Sequence, residues 1–334
     1  MVKFLIKRIF YIIFVLFIVS IFVFILFRTM PGDPALMFLE GAQGDMTPQE
    51  FEEAIQRIRE MLGLDQSYIH QYFAWIGQML QGNFGYNFPF RVPVLEAIRT
   101  PMLNTIVMNI FVLIIVFAIT IPMGIYAAIK RGKLFDNGAL FFTTIGFSFP
   151  NFLFGLLMII IFNVWLGWLP TGGMRDPMAQ IWLEDGTWTQ WDALLDRAKY
   201  MILPILTLVL VGMAGLMRFV RSAMIDALNQ DYIRTARSKG LAEKTVIYSH
   251  AFRNALVPIV TVTAGWFIGI FGGSVLVERV FSWNGMGIVM IDALGQRDVA
   301  TLKAMTVFYS LISFVGLLVV DIVYVLVDPR IRFE

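Results

Sequence analysis

The side chains that could carry out chemistry are few, and their spacing fits no catalytic motif. The sequence has no G-x-x-x-x-G-K-[ST] phosphate loop, and its only two histidines, His70 and His250, are not in H-E-x-x-H spacing. It also has no cysteine, which excludes disulfides, thiolate metal ligands and cysteine nucleophiles. We therefore predict a protein that has no catalytic residues, cofactor or metal of its own.

Three polar residues stand within apolar runs that are long enough to form membrane helices. Asp321 is the one ionisable residue in the run from Ala304 to Val327. Such an acid marks an ion or proton path, or else it forms a structural hydrogen bond or ion pair near the helix end. Asn104 and Asn109 likewise line a polar path or form hydrogen bonds between helices. All three are candidate polar or gating residues.

The composition indicates where these residues lie. The chain has 334 residues, of which 58% are hydrophobic and 15% charged, and its mean hydropathy is +0.74. Soluble domains are about half apolar and a quarter charged, so a soluble enzyme, a disordered chain and a nucleic-acid-binding domain are excluded. Each of six apolar runs can cross a hydrocarbon core of about 30 Å as a helix. They are residues 9–27, 100–129, 137–174, 200–217, 254–277 and 304–327.

The placement of basic residues predicts an orientation for the six helices. With the N-terminus inside, the cytoplasmic segments 1–8, 130–137, 218–253 and 328–334 carry 15 of the 26 Lys and Arg residues. This excess in short inner segments is the positive-inside pattern. The first run lacks a small-residue cleavage site and is predicted to remain as an uncleaved helix. We predict an all-α polytopic protein of the cell membrane, with both termini in the cytoplasm.

The outer segment after the first run contains two helix signals. Thr47-Pro48-Gln49-Glu50 is a capping-box pattern with proline at the first helical position, and Gly63 suits the end of that helix. A second helix is predicted from about Ser67 to Gln81. The two helices form either a cap on the membrane surface or a docking surface for an external partner.

The longest inner segment, residues 218–253, is named the basic loop because it carries seven basic and three acidic residues. Asp231 is the predicted N-cap of a short helix over 232–239, which Gly240 ends, and a second helix begins at about Ala242. This geometry places a short helix across the cytoplasmic face between two long helices. The loop either lies on anionic lipid or fits a groove on a cytosolic partner.

Within residues 30–34, 232–258, 277–287 and 321–330, four segments in order along the chain, the sequence resembles the permease subunits of ATP-binding-cassette (ABC) importers, in the form found in the dipeptide and oligopeptide permease family. In the segment from Tyr232 to Gly240, Thr235-Ala236-Arg237 takes the place of the family's E-A-A and Gly240 that of its glycine. Arg253-Asn-Ala-Leu-Val-Pro258 matches the ending R-N-A-L-x-P. The other matching segments are 30–34, 277–287 and 321–330, whereas 81–85 and 282–285 depart from the usual family pattern.

The resemblance implies a fold, partners and contact residues. The fold is the type I ABC importer fold with six transmembrane helices. The partners in the bilayer and beside it are a second homologous permease subunit, two cytosolic ABC ATPase subunits and an extracytoplasmic solute-binding protein. Whether the second permease is a paralogue or an identical chain stays open. ATPase-coupling contacts are expected at Tyr232, Arg234, Thr235, Ala236, Arg237, Gly240, His250 and Arg253.

The implied function is import of oligopeptides or dipeptides through a pathway of which this chain forms half, driven by ATP hydrolysis in partner subunits. Alternatives are import of oligosaccharides, glutathione or nickel by the same machinery, or a non-transporting membrane assembly or sensor subunit. The expected division is a first helix over 1–28, an extracytoplasmic subdomain over 29–99, a permease core over 100–328 and a tail over 329–334.

Overall fold

The computed structural model describes residues 2–30, 35–36, 39, 47–61, 63–87 and 92–327, and most of them are helical. Within these residues, the first part of the chain includes three helices and one pair of antiparallel strands. These are α1 (Val2–Arg28), α2 (Pro48–Met61), α3 (Tyr68–Leu80), β1 (Tyr86–Asn87) and β2 (Val92–Pro93). Tyr86 pairs with Pro93 and Asn87 with Val92. The motif residues 31–34 and the terminal segment 328–334 lie outside the described residues.

The remainder of the chain forms helices of very different lengths. They are α4 (Val94–Ile129), α5 (Leu134–Ser148), α6 (Asn151–Ile159), α7 (Ala179–Glu184), α8 (Gln190–Leu228), α9 (Asp231–Ser238), α10 (Glu243–Thr245), α11 (Arg253–Gly269), α12 (Val275–Val280), α13 (Met286–Gly295) and α14 (Val299–Val327). Two π-helical segments continue shorter helices. Ile160–Trp165 extends α6, and Val246–Phe252 joins α10 to α11.

Within the described residues, four helices are long and apolar enough to cross a membrane. They are α1, α4, α8 and α14. A fifth candidate is the bent pair of α5 and α6 with its π-helical extension, whose two arms meet at 99°. The predicted run 254–277 is helical over residues 254–269 of α11 and the first three residues of α12, with a break at 270–274, so no single helix covers it.

The bend between α5 and α6 differs from the single helix predicted over 137–174. Phe149 has extended backbone angles, φ −104° and ψ 137°, and Pro150 follows it. A proline disfavours the helical conformation of the residue before it and cannot donate a backbone hydrogen bond. Helix α5 therefore ends at Ser148, and α6 begins directly after Pro150.

Both helices predicted in the outer segment are confirmed. The Thr47 backbone N–H donates to the Glu50 carboxylate at 2.8 Å, and the Glu50 N–H donates back to the Thr47 hydroxyl at 3.4 Å, which completes the capping box of α2. Gly63 follows α2 with a left-handed φ of 65°. Ser67 caps α3 by accepting a hydrogen bond from the His70 N–H.

Residues 1–101 and 289–314 form one compact unit. Its aromatic core joins α1 to α3: the Tyr72 hydroxyl lies 2.8 Å from that of Ser20, and its ring lies 5.5 Å from the ring of Phe24. At the start of α14, the ammonium of Lys303 lies over the rings of Phe24 and Trp75, at 5.3 and 5.6 Å. Such cation–π contacts stabilise a lysine that has little access to water.

Residues 102–288 and 315–334 form a second compact unit. Helix α8 is at its centre and packs against α5, α6 and α11. The side chains that α8 buries most deeply include Leu216, Val220 and Met224. They belong to the same hydrophobic core as residues of the basic loop. The apolar face of α8 is therefore continuous with the buried side chains of the basic loop.

Candidate functional site

Helix α9, the short helix of the basic loop, has one buried and one exposed face. Ile233 and Ala236 are 0% and 5% exposed and belong to one core cluster with Val246 and Ala251 of the following π-helical segment. Tyr232, Arg234 and Thr235 are exposed. Because one face is packed against its own chain, α9 is held in place while its other face is available to a partner. The exposed face consists of Tyr232, Arg234 and Thr235.

The turn that ends α9 lies at Gly240, as predicted. Its N–H donates to the Arg237 carbonyl at 2.9 Å, and its φ of 71° is in the left-handed region, which favours glycine. Residues 218–228 of the predicted loop belong instead to the last turns of α8. The residue at the N-cap position is Gln230, so Asp231 lies in the first turn of α9. The short helix is thus set one residue earlier than predicted.

An ion pair bridges the turn at Gly240. Arg237 Nη2 lies 2.6 Å from Glu243 Oε1, and Nε lies 3.2 Å from Oε2, which is the bidentate arrangement. The hydrogen bond from Arg237 lowers the pKa of the Glu243 carboxyl, and the same bond raises the pKa of Arg237. The pair connects the end of α9 to α10 across the turn.

The two other predicted coupling residues lie farther along the chain. His250 is half-buried in the π-helical segment, and its carbonyl accepts a hydrogen bond from Asn254 at 2.6 Å. Arg253 is exposed at the first residue of α11. Single π-helical turns often occur at functional sites. The exposed cations of this region, Arg234, Lys239, Lys244 and Arg253, give it a basic surface.

The asparagines predicted in the helices bind carbonyl groups of other segments. Asn104 donates to the Asn284 carbonyl at 2.7 Å and accepts from Arg197 Nη2 at 2.6 Å. Asn109 donates to the Ile270 carbonyl at 2.9 Å, just past the end of α11. Asp321 is half-buried in α14. In the described part of the chain, no group of three His, Cys, Asp or Glu side chains could hold a metal ion.

The sequence reasoning missed two buried acids that organise the second unit. Glu278 is 0% exposed and Asp136 is 1% exposed. Glu278 stands in the motif segment 277–287, and Asp136 stands in the predicted cytoplasmic segment 130–137. A buried acid requires a hydrogen-bonding or charged partner. Thr105, which binds Glu278, and Arg221, which binds Asp136, are distant from them in the chain. No local sequence pattern therefore indicates that these acids are buried.

These features define a class of protein: a polytopic helical membrane protein in which a short amphipathic helix is held between two long helices. The chain matches the family model described as binding-protein-dependent transport system inner membrane component over residues 120–333. A companion model for the N-terminal part of such membrane components matches residues 1–98. The chain belongs to this family, and it is an inner-membrane permease component of a binding-protein-dependent ABC importer.

Characterised relatives are similar along the whole chain. The oligopeptide transport system permease protein AppB of Bacillus subtilis (strain 168) is 37% identical over 316 residues, which are 94% of each chain. The glutathione transport system permease protein GsiC of Escherichia coli (strain K12) is 35% identical over 334 residues, which are 100% of each chain. The resemblance noted in the sequence is therefore confirmed.

Proposed function

We propose that the exposed face of α9 couples this permease to a cytosolic ATPase subunit. The observation that carries the proposal is the division of α9 into a face packed on its own chain, through Ile233 and Ala236, and an exposed face with Tyr232, Arg234 and Thr235. When a helix is packed against its own chain on one side, a partner that displaces its other side also displaces the residues packed beneath it. In this proposal Arg237 and Gly240 set the angle of α9.

His250 and Arg253 belong to the same coupling surface in this proposal. Arg253 is exposed, and it adds positive charge beside the π-helical segment that packs under α9. Charged groups at the edge of an interface steer association and fix the register of the partners. The partner surface is accordingly expected to be a groove with acidic residues at its rim.

The proposed membrane arrangement has six spans with both termini in the cytoplasm. The excess of basic residues in segments 1–8, 130–137 and 218–253 supports this orientation. The sixth span requires that α11 and α12 cross together. The functional division proposed with it is 1–28, 29–99, 100–328 and 329–334. The first is an anchoring helix, the second is extracytoplasmic, the third is the permease core and the last is a tail.

The proposed complex contains a second homologous permease, two ATPase subunits and one extracytoplasmic solute-binding protein. ATP hydrolysis occurs in the ATPase subunits, since the chain itself carries no phosphate-loop motif. Closure of the ATPase pair moves α9, and the membrane helices then alternate between outward-open and inward-open states. In this proposal the permease conveys the movement of the ATPase subunits to the membrane helices and forms part of the substrate pathway, while the ATPase subunits carry out the catalysis.

Oligopeptides or dipeptides are the proposed substrates. One relative is named as an oligopeptide permease and another as a glutathione permease. Glutathione is itself a short peptide derivative, so both names indicate a substrate that has free amino, carboxylate and amide groups. Oligosaccharides and nickel are the competing substrates, and they differ from peptides in charge and hydrogen-bonding groups.

The test is uptake into membrane vesicles that contain this permease with its second permease, ATPases and binding protein. The probes are labelled trialanine, glutathione, maltotriose and Ni²⁺. ATP-dependent accumulation of trialanine or glutathione is expected, and it should be lost when this chain is omitted. Accumulation of maltotriose or Ni²⁺ alone would contradict the peptide assignment. Absence of uptake for all four probes in an assembled complex would favour a sensor or assembly subunit.

A further inference from the structure

The 281–288 turn comprises residues 281–285, which connect α12 to α13, and the first three residues of α13, and two consecutive residues of α4 hold it in place. The Thr105 hydroxyl accepts a hydrogen bond from the Met286 N–H at 2.9 Å and donates one to Glu278 Oε1 at 3.2 Å. Asn104 donates to the Asn284 carbonyl at 2.7 Å. A single hydroxyl thus connects a backbone amide of the turn to a buried carboxylate.

Glu278 stabilises the beginning of α13 in a tightly packed environment. Its Oε2 accepts a hydrogen bond from the Ile288 N–H at 3.1 Å, in the first turn of α13, where the helix dipole favours a negative group. A Cβ atom at Gly285 would lie 2.5 Å from Glu278 Oε1, and one at Gly287 would lie 2.8 Å from Oε2. Glycine at both positions therefore lets the backbone approach the carboxylate.

The same turn contains two unfavourable features. Ser282 has a φ of 48°, in the left-handed region, although it is not glycine. The indole N–H of Trp283 is buried and has no hydrogen-bond partner within the described residues. Strained backbone persists only where surrounding groups hold it, and it is concentrated in switch regions and at functional sites. A buried donor without an acceptor also favours any arrangement that supplies one.

We propose that Thr105 and Glu278 are positioning residues for transport, which hold the 281–288 turn in one of two arrangements that alternate during the cycle. The proposal rests on the proposed import function. In the arrangement described above, the bonds to Thr105 compensate for the strain at Ser282 and the unpaired indole of Trp283. When those bonds break, the turn relaxes and the start of α13 is released from α4.

The test compares three substitutions on α4 in the assembled importer. Thr105→Val keeps the size of the side chain and removes both hydrogen bonds, whereas Thr105→Ser keeps the hydroxyl. Thr120→Val is the matched control, because Thr120 is 0% exposed on the same helix and its hydroxyl has no hydrogen-bond partner among the described residues. Complex yield, trialanine uptake and ATP hydrolysis are measured for each.

The expected result is a loss of transport with retained assembly. Thr105→Val should lower trialanine uptake per assembled complex by at least about fivefold, since the loss of one net hydrogen bond has that effect and the substitution removes two. Thr105→Ser and Thr120→Val should remain within about twofold of the unmodified chain. Glu278→Leu should also lower uptake, because it removes the acceptor of the Thr105 hydroxyl and of the Ile288 N–H, and the double variant should lose less than the two single losses combined, because the two residues share one hydrogen bond.

Two results would overturn the proposal. One is an unchanged uptake per complex for Thr105→Val, and the other is a loss of uptake fully accounted for by a loss of assembled complex. Failure of the import function itself is a different outcome, since the unmodified complex would then take up neither trialanine nor glutathione. The two failures are therefore distinguished by the unmodified chain alone.

Discussion

Arg221 near the end of α8 and Asp136 in the first turn of α5 form an ion pair. Arg221 Nη2 lies 2.7 Å from Asp136 Oδ2, and Nε contacts the other carboxylate oxygen. The Gly132 N–H also donates to Oδ2, at 2.8 Å. The pair thus ties the turn before α5 to the stretch of α8 that leads into the basic loop.

We expect Asp136→Asn to destabilise the protein by about 3 kcal/mol, because removing one member of a buried ion pair leaves the other charge without compensation. Thermal unfolding of the purified complex in detergent measures this change. Asp226→Asn is the matched control, since Asp226 is an exposed aspartate on α8, the helix that carries Arg221. Equal melting temperatures for the two variants would contradict the structural role of the pair.

Gly240→Val should uncouple ATP hydrolysis from uptake while leaving membrane insertion intact. The left-handed φ of 71° is disfavoured for a β-branched residue by roughly 1–2 kcal/mol, so the turn after α9 is displaced. Gly240→Asn should retain most of the uptake, because asparagine tolerates this region. The measurement is the ratio of ATP hydrolysed to peptide imported, and an unchanged ratio for the valine variant would refute the assignment of α9.

The ion pair of Arg237 and Glu243 predicts a dependence of stability on pH. Because the pKa of Glu243 is lowered in the folded chain, its contribution is present above the pKa of the unfolded chain and disappears as the pH falls through the lower, folded value. Glu243→Gln should therefore lower the melting temperature at pH 7, and the effect should shrink as the pH falls below the unfolded value of about 4.3 and disappear only well below the lower, folded value.

The size of that effect is small, up to about 0.5 kcal/mol, because both side chains are half exposed to solvent. Glu60→Gln on α2 serves as an exposed control and should shift the melting temperature at neither pH. High salt should weaken the difference as acid does. A difference between Glu243→Gln and the unmodified chain that persists unchanged at pH 3 would exclude this origin.

A further buried acid, Asp298, supports the start of α14. Its Oδ2 accepts hydrogen bonds from Asn87 Nδ2 at 2.8 Å and from the Thr301 hydroxyl at 2.6 Å, and all three residues are buried. Asn87→Ala should destabilise the protein by about 2 kcal/mol, through loss of a bond to a charged acceptor. Asn83→Ala removes an exposed asparagine nearby and should have a much smaller effect on the thermal unfolding curve.

Structural elements that depend only on residues close together in the sequence could be predicted. The hydrogen bonds of the capping box at Thr47 and Glu50 join residues three positions apart, and Gly240 needs only its own φ to end α9. The family assignment was predictable for the same reason, because the motif from Tyr232 to Gly240 is continuous in the chain.

Interactions between distant residues could not be predicted. Thr105 and Glu278 are 173 positions apart, and the amphipathic pattern of a helix shows which face is buried but not what it contacts. The bend at Pro150 was missed because hydropathy records that a run is apolar and not whether it is straight. The π-helical segments have no distinct residue pattern, so the stretch after Ala242 was predicted as an ordinary helix.

The 39 residues of α8 make a rod of about 58 Å, and only Asn229 and Gln230 separate it from α9. Its one internal proline, Pro204, leaves a carbonyl of the preceding turn without its helical hydrogen bond. Because that hydrogen bond is missing, α8 should bend more easily at Pro204 than elsewhere along its length. We expect a displacement of α9 to be accommodated by bending at that point.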